Sequence, residues 1–212
     1  MTPIRDAATV VILRRGGVAG PRVLMGQRGA RAVFMPSKYV FPGGAVDPGD
    51  GDVPLAGQVD AATRKSLMTP SGPSPEAIVT AALRELAEET GQRLAAPGDG
   101  CPWRGFEGLR PDPRPLHFIF RAITPPGRPR RFDARFFLAE AEALSSDPDD
   151  FSHAEDELSH LHWVPLAEAR TLDMPFVTEV VLAEVAAIIE DGPPKGIPFF
   201  DNSGETSVFR RL

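Results

Sequence analysis

The chain has 212 residues, 42% hydrophobic and 25% charged, a balance that reads as soluble and globular; the length is long for one compact domain and short for two. A net charge of −6 argues against binding a nucleic-acid polymer, and the single cysteine, Cys101, excludes an intrachain disulfide. The apolar run within Met1 to Leu13 is far too short for a signal or membrane segment, so no membrane partner is expected and the cytoplasm is the default location.

Ala7 to Leu13 is β-rich and reads as a buried strand, with Arg22 to Gln27 as the return strand of a hairpin. Lys38 to Phe41 is a third strand, ended by Pro42. Gly51 to Pro73 mixes Pro and Gly with a polar run, Asp60 to Met68, that suits one short helix. A long helix follows over Pro75 to Thr90. Ala95 to Pro115 is dense in Pro and Gly and reads as a loop, with Trp103 and Phe106 packed onto the domain. Leu116 to Ile123 and Phe132 to Ala139 are strands, joined by a basic turn. Leu144 to Glu157 is a strongly acidic loop, and Leu158 to Val164 a strand. Pro165 to Leu172 suggests a short helix, and Pro175 to Glu190 an amphipathic one. The aromatic tail after Gly192 suits a sheet edge or a partner contact. Strands feeding two long helices predict an α+β sandwich.

The long helix carries the chemistry. Ser74 is a good N-cap, Pro75 fits the first helical position, and Gly91 is a stop. On a wheel of about 100° per residue, Glu88 falls roughly −60° and Glu89 roughly +40° from Glu85, so the three share one face. Val79, Leu83 and Leu86 form the core stripe beside that face, and Arg84 lies next to Glu88. Like charges at this spacing destabilise a helix by about 0.2–0.5 kcal/mol per pair. A hard divalent cation such as Mg²⁺ or Mn²⁺ reverses that sign; the bland alternative is a solvated helix face. Upstream, Gly43-Gly44 permits a close backbone approach to a ligand.

Gly44 to Asp50 and Arg84 to Gly91 together resemble the signature of the Nudix hydrolase family, with Asp50 where Glu is usual and Gln92 where the last aliphatic residue stands. The 33 residues Gly51 to Leu83 replace the usual seven, so the resemblance implies a box with an internal insertion at about 51–74. It implies a single domain over 1–212 with the Nudix fold, an α/β/α sandwich around a mixed sheet. It also implies hydrolysis of a nucleoside diphosphate linked to another group, dependent on Mg²⁺ or Mn²⁺.

By the same resemblance, Glu85, Glu88, Glu89 and the Gly43 carbonyl are the metal ligands, Arg84 positions the carboxylates, and Asp50 braces the loop or Arg84. The general base is either a box glutamate or a residue of the acidic loop, Glu155 or Glu157, with Glu157 preferred; the alternative for that loop is a solvated surface. Gly44, Arg28 and a basic group formed by Arg128, Arg130, Arg131 and Arg135 are candidates for the substrate, with Arg131 and Arg135 preferred. Leu24 to Arg28 ahead of Phe41-Pro42-Gly43-Gly44 partly resembles coenzyme A diphosphatases, although Val33 and Ser37 fill the inner arginine and glycine positions. CoA or an acyl-CoA is therefore one candidate, with ADP-ribose-type substrates and nucleoside triphosphates open. Family members are often dimers, which makes a homodimer one implied partner. A catalytically silent diphosphate-binding module is the alternative function.

Overall fold

The computed structural model describes residues 2–17, 20–30, 32 and 34–212; Val33 lies outside them. β1 (Ile4–Arg14) contains the expected run and extends it at its start. The run is almost wholly apolar because both faces of the strand are covered. Ala8, Val10 and Ile12 enter one core with Ile78, Val79 and Leu83, whereas Val11 and Leu13 enter a second with Val181, Leu182 and Val185. Period-two alternation divides one strand between two layers.

β2 (Arg22–Arg28) returns antiparallel but meets β1 only at Leu13↔Val23 and Arg14↔Arg22. β3 (Tyr39–Val40) pairs with β2, while β4 (Gly43–Ala45) pairs with β1 at Ala7 to Thr9. One edge of β1 is thus shared between two strands, and the sheet forks there. α1 (Ala61–Leu67) is the short helix of the insertion, N-capped by the Asp60 carboxylate, which accepts from the Ala62 and Thr63 amides at 2.9 Å. α2 (Pro75–Thr90) begins where the Ser74 hydroxyl accepts from the Ala77 amide at 3.1 Å, and it stops at Gly91, whose φ of 72° is left-handed.

Residues 95–115 are more than a loop. β5 (Ala95–Pro97) and β6 (Leu109–Pro111) form a two-stranded ribbon around a long connection, in which Trp103 and Phe106 meet edge-to-face at 5.2 Å. β7 (His117–Ile123) runs antiparallel to β8 (Arg131–Glu140), which lies parallel to β1 along its whole length. β9 (Leu158–Pro165) pairs with β2 and leads into α3 (Leu166–Ala169) and α4 (Phe176–Asp191). The tail finishes the sheet: β10 (Pro198–Asp201) is parallel to β7, and β11 (Val208–Arg211) is the edge. Among the described residues nine strands make one mixed sheet, ordered β11-β10-β7-β8-β1-β2-β3 with β4 on β1 and β9 on β2. α2 packs on one face and α4 on the other, which is the sandwich expected. Among the described residues no helix is long and apolar enough to cross a membrane.

The phase of β8 corrects one expectation. Phe132, Ala134 and Phe136 face a cleft, so Arg131 and Arg135 face the opposite side of the strand. Arg131 is buried and donates to the backbone oxygens of Thr124 and Asn202, both at 2.9 Å. Arg135 is 1% exposed, paired with Asp6 and Asp133 and bonded to the Asp133 carbonyl at 2.7 Å. Asp133 in turn takes Arg121 in a two-point pair at 2.8 and 2.6 Å. These arginines lock strands together, and neither lines the cleft. Removing one partner of a buried ion pair costs about 3–5 kcal/mol. Arg135→Met is therefore expected to lose roughly 3 kcal/mol in urea unfolding, with the KM for a diphosphate substrate unchanged. A raised KM at undiminished stability would return Arg135 to the substrate.

Candidate active site

The register of β4 on β1 determines what the glycine loop offers. The Val10 amide donates to the Pro42 carbonyl, and the Val46 amide donates to the Asp6 carbonyl, each at 2.9 Å. Those bonds mark the hydrogen-bonded pairs, and Gly43↔Thr9 and Ala45↔Ala7 fall between them. The backbone groups of Gly43 and Ala45 therefore point away from β1, towards α2. The contacts agree: the Gly43 amide donates to Glu89 Oε2 at 2.7 Å, and the Ala45 carbonyl accepts from Arg84 Nη2 at 3.0 Å. A side chain on Gly43 would press into the backbone of β1, with its Cβ 2.5 Å from the Ala8 oxygen; on Gly44 it would meet the Glu85 carboxylate at 2.3 Å. The close approach to strand backbone demands glycine at 43, whereas at 44 a side chain would have to displace the tip of Glu85.

Arg84 joins the parts. It donates through Nε to Asp50 Oδ1 at 2.9 Å and through Nη2 to Asp50 Oδ2 at 3.2 Å. Its Nη1 is shared by Glu85 at 2.8 Å and Glu88 at 2.9 Å. Asp50, though a methylene shorter than Glu, still reaches Arg84, and its Oδ2 also accepts from the Asp47 amide at 2.8 Å. Burial works against the Arg84 charge, yet Asp50 and Glu85 hold its pKa above the ordinary arginine value.

The glutamates are held against their nature. Burial raises the Glu85 carboxyl to about 7, opposed by Arg84 and assisted by Glu88 and Glu157. Glu88 is raised by burial too, again opposed by Arg84. Glu89 is 2% exposed, and burial pushes it to about 8 despite the Gly43 amide. Its second oxygen, Oε1, is buried with no hydrogen-bond partner. Among the described residues no three His, Cys, Asp or Glu side chains converge into a ready-made ion cage, since Glu85 and Glu88 lean on Arg84 while Glu89 is turned to Gly43. An orphaned carboxylate oxygen beside two further carboxylates nevertheless fits a hard divalent cation, whose charge would reverse the desolvation penalty.

A cleft of about 340 Å³ opens beside this cluster, lined by Gly43, Gly44, Glu85, Arg28 and Glu157. Arg28 Nη2 donates to Glu157 Oε1 at 2.8 Å, so the end of the acidic loop is tied to β2 at the cleft. Glu155 contributes its amide instead, donating to the Glu88 carbonyl at 2.7 Å. Of the basic group near residue 130, Arg130 lines this cleft and Arg128 the cavity next to it. Arg5 also lines the cleft; no motif in the sequence marks it, and only its phase on β1, shared with Ala7 and Thr9, could have found it. The adjoining cavity, about 760 Å³, shares Phe34, Met35, Phe136 and Val177 with the cleft and adds Phe176 and Phe200.

The NUDIX domain family matches residues 72–185, more than half of the chain. A NUDIX hydrolase from Alicyclobacillus acidocaldarius is 30% identical, with a TM-score of 0.63 over 88% of this chain and 93% of that one. The NUDIX domain of Shewanella oneidensis NrtR, crystallised with ADP ribose, is 14% identical at TM-score 0.51, over 89% of this chain and 90% of that one, a likeness of fold alone. Putative nudix hydrolase 7 of Caenorhabditis elegans is 27% identical over 177 residues, 76% of this chain and 51% of the relative, so the chain spans about half the length of the curated relative it matches. With the family match covering more than half of the chain, including the helix that bears Arg84 to Glu89 and strands β7 to β9, the chain belongs to the Nudix hydrolase family.

Proposed function

We propose that this protein hydrolyses the diphosphate linkage of a nucleoside diphosphate joined to another group, with Mg²⁺ or Mn²⁺ held by Glu85, Glu88, Glu89 and the Gly43 carbonyl. The observation that carries this reading is the buried Glu89 carboxylate, with one oxygen on the Gly43 amide and the other without a partner, beside a cleft. The bound cation supplies charge neutralisation on the phosphate oxygens and lowers the pKa of a coordinated water. Arg84 orients Glu85 and Glu88 and keeps Asp50 and the glycine loop in register with α2. Gly44 lets the substrate approach the backbone. Arg28, with Arg5 and Arg130 on the same cleft, takes the diphosphate charge. Glu157, half exposed on the cleft wall, takes the proton of the attacking water once a phosphate oxygen draws Arg28 from it.

The large cavity beyond the cleft supports a bulky partner group with an apolar part. Phe34, Met35, Phe136 and Phe200 line it, and Lys38 and Arg128 add positive charge. CoA or an acyl-CoA suits that combination better than a compact nucleoside triphosphate. Turnover of CoA, an acyl-CoA, ADP-ribose, NADH, a dinucleoside polyphosphate and dNTPs, each with Mg²⁺ and Mn²⁺ and scored by product mass, tests the assignment. No turnover on any of them would favour a silent binding module.

Glu88→Gln and Glu89→Gln are each expected to abolish metal-dependent turnover with the fold intact by circular dichroism; full activity in both removes the metal cluster. Gly44→Ala displaces only a carboxylate tip, so it should cut turnover while stability falls little. Gly43→Ala meets strand backbone and should lower the Tm as well. In EDTA the raised folded-state pKa values of Glu85 and Glu89 make stability depend on pH. The folded protein holds protons that the unfolded chain, with glutamate near 4.3, has released. That stability is complete below about pH 4.3 and is lost as pH rises through about 7 and about 8. The Tm in EDTA should therefore fall between pH 5 and 8. Glu89→Gln or millimolar Mg²⁺ should flatten the slope. An unsloped Tm profile in EDTA would contradict the desolvated state of these carboxylates.

A further inference from the structure

Gln92 stands two residues past the end of α2, just after the Gly91 cap, at a position where the Nudix motif usually has an aliphatic residue. It is fully buried at 0% exposure, yet every polar atom of its side-chain amide that the loop can reach is used. Its Nε2 donates to the Asp147 carbonyl at 3.1 Å and to the Asp150 carbonyl at 2.8 Å. Its Oε1 accepts from the Ser146 hydroxyl at 2.8 Å. That hydroxyl accepts in turn from the Arg93 amide at 3.0 Å, and the Ser145 amide donates to the Arg93 carbonyl at 2.8 Å.

All of these bonds run to one segment, the acidic loop that ends at Glu157. A second point of attachment follows along the same loop. The Glu155 amide caps the Glu88 carbonyl, and Gly91 lies so close to His153 and Ala154 that a Cβ there would sit 3.1 Å from the His153 Cβ. The loop is therefore bolted to the C-terminal end of the helix whose previous turn carries Glu85, Glu88 and Glu89. An aliphatic side chain at 92 would fill the volume but leave the Asp150 carbonyl without this donor and the Asp147 carbonyl with only the Asp150 amide, at 3.2 Å.

We propose that Gln92 is a positioning residue that fixes the acidic loop so that Glu157 sits on the cleft wall opposite the box helix. The proposal rests on the reading of Glu157 as the base. The side chain of Gln92 lines neither the cleft nor the cavity beside it; it acts through the loop. Long-range fixing of a base is worth the effort because a misplacement of about 1 Å costs on the order of 100-fold in rate.

The test is a double-mutant cycle with the full chain, on whichever diphosphate the panel identifies, read as kcat and KM well below each variant's Tm. Gln92→Met keeps length and volume and removes the hydrogen bonds. It is expected to lower kcat roughly 10- to 100-fold, leave KM nearly unchanged, and raise hydrogen exchange in residues 147–157 while α2 stays protected. In the Glu157→Gln background the same substitution should cause no further loss of kcat. Ser146→Ala removes one of the three bonds and should show the same non-additive pattern at smaller size, which keeps the test open if Gln92→Met does not fold. Unchanged kcat in both single variants, or an equal fold loss with and without Glu157, overturns the positioning role. Full turnover by Glu157→Gln overturns the base assignment and this inference with it. An inactive Glu157→Gln beside a silent Gln92→Met sinks this inference alone.

Discussion

One guanidinium holds the site together. Arg84 is 11% exposed and bonds a loop aspartate, a strand carbonyl and two helix glutamates at once. Without a buried cation, Glu85 and Glu88 would repel one another across one turn, and Glu89 would add a third charge in a desolvated place. Arg84 offsets part of that repulsion and leaves part in place. The remainder shows as raised carboxyl pKa values and an oxygen with no partner. A cation entering a site in this condition would relieve that repulsion, so the strain and the proposed function have one electrostatic cause.

The sheet supplies the geometry on which that fact depends. β1 lends one edge to β8 along its whole length and divides the other between β4 and β2. In the fork, β4 is short and its alternate backbone groups are free of β1, so they can serve the helix. Residues 51–74, read from the motif as an insertion, separate the glycine loop from α2 in sequence without separating them in space. The family match begins at residue 72, in the last residues of that segment, while the Gly43-to-Glu89 and Asp50-to-Arg84 bonds close the gap. Neither cavity beside the site takes a lining residue from 51–74, so the insertion does not shape them.

Local signals were legible wherever local physics decides the outcome. The helix from Pro75 to Thr90 has its cap, its first-position proline and its glycine stop in sequence, and each behaves as written. The buried stripe of Val79, Leu83 and Leu86 follows from a period of 3.6. The β5–β6 ribbon was not legible, because strands of three residues among prolines and glycines are made by their pairing rather than by their own preference. The hairpin of β1 and β2 was legible only at its turn, since β2 spends most of its length on β9, far away in the chain.

The amino-acid sequence by itself singled out the residues proposed to carry the chemistry: three glutamates on one helical face, an arginine among them, and two glycines upstream. It could do so because helical periodicity and glycine's lack of a side chain are properties of a few neighbouring residues. Tertiary structure alone decided which cationic residues meet the cleft. Arg131 and Arg135 are indistinguishable in composition from Arg130 and Arg5, but strand phase turns the first pair into the sheet and leaves the second on the cavity wall. It likewise turned Gln92 from a departure from the motif into the anchor of the acidic loop. The reason in both cases is that burial and partner choice depend on what arrives from distant parts of the chain, and no local pattern encodes that arrival.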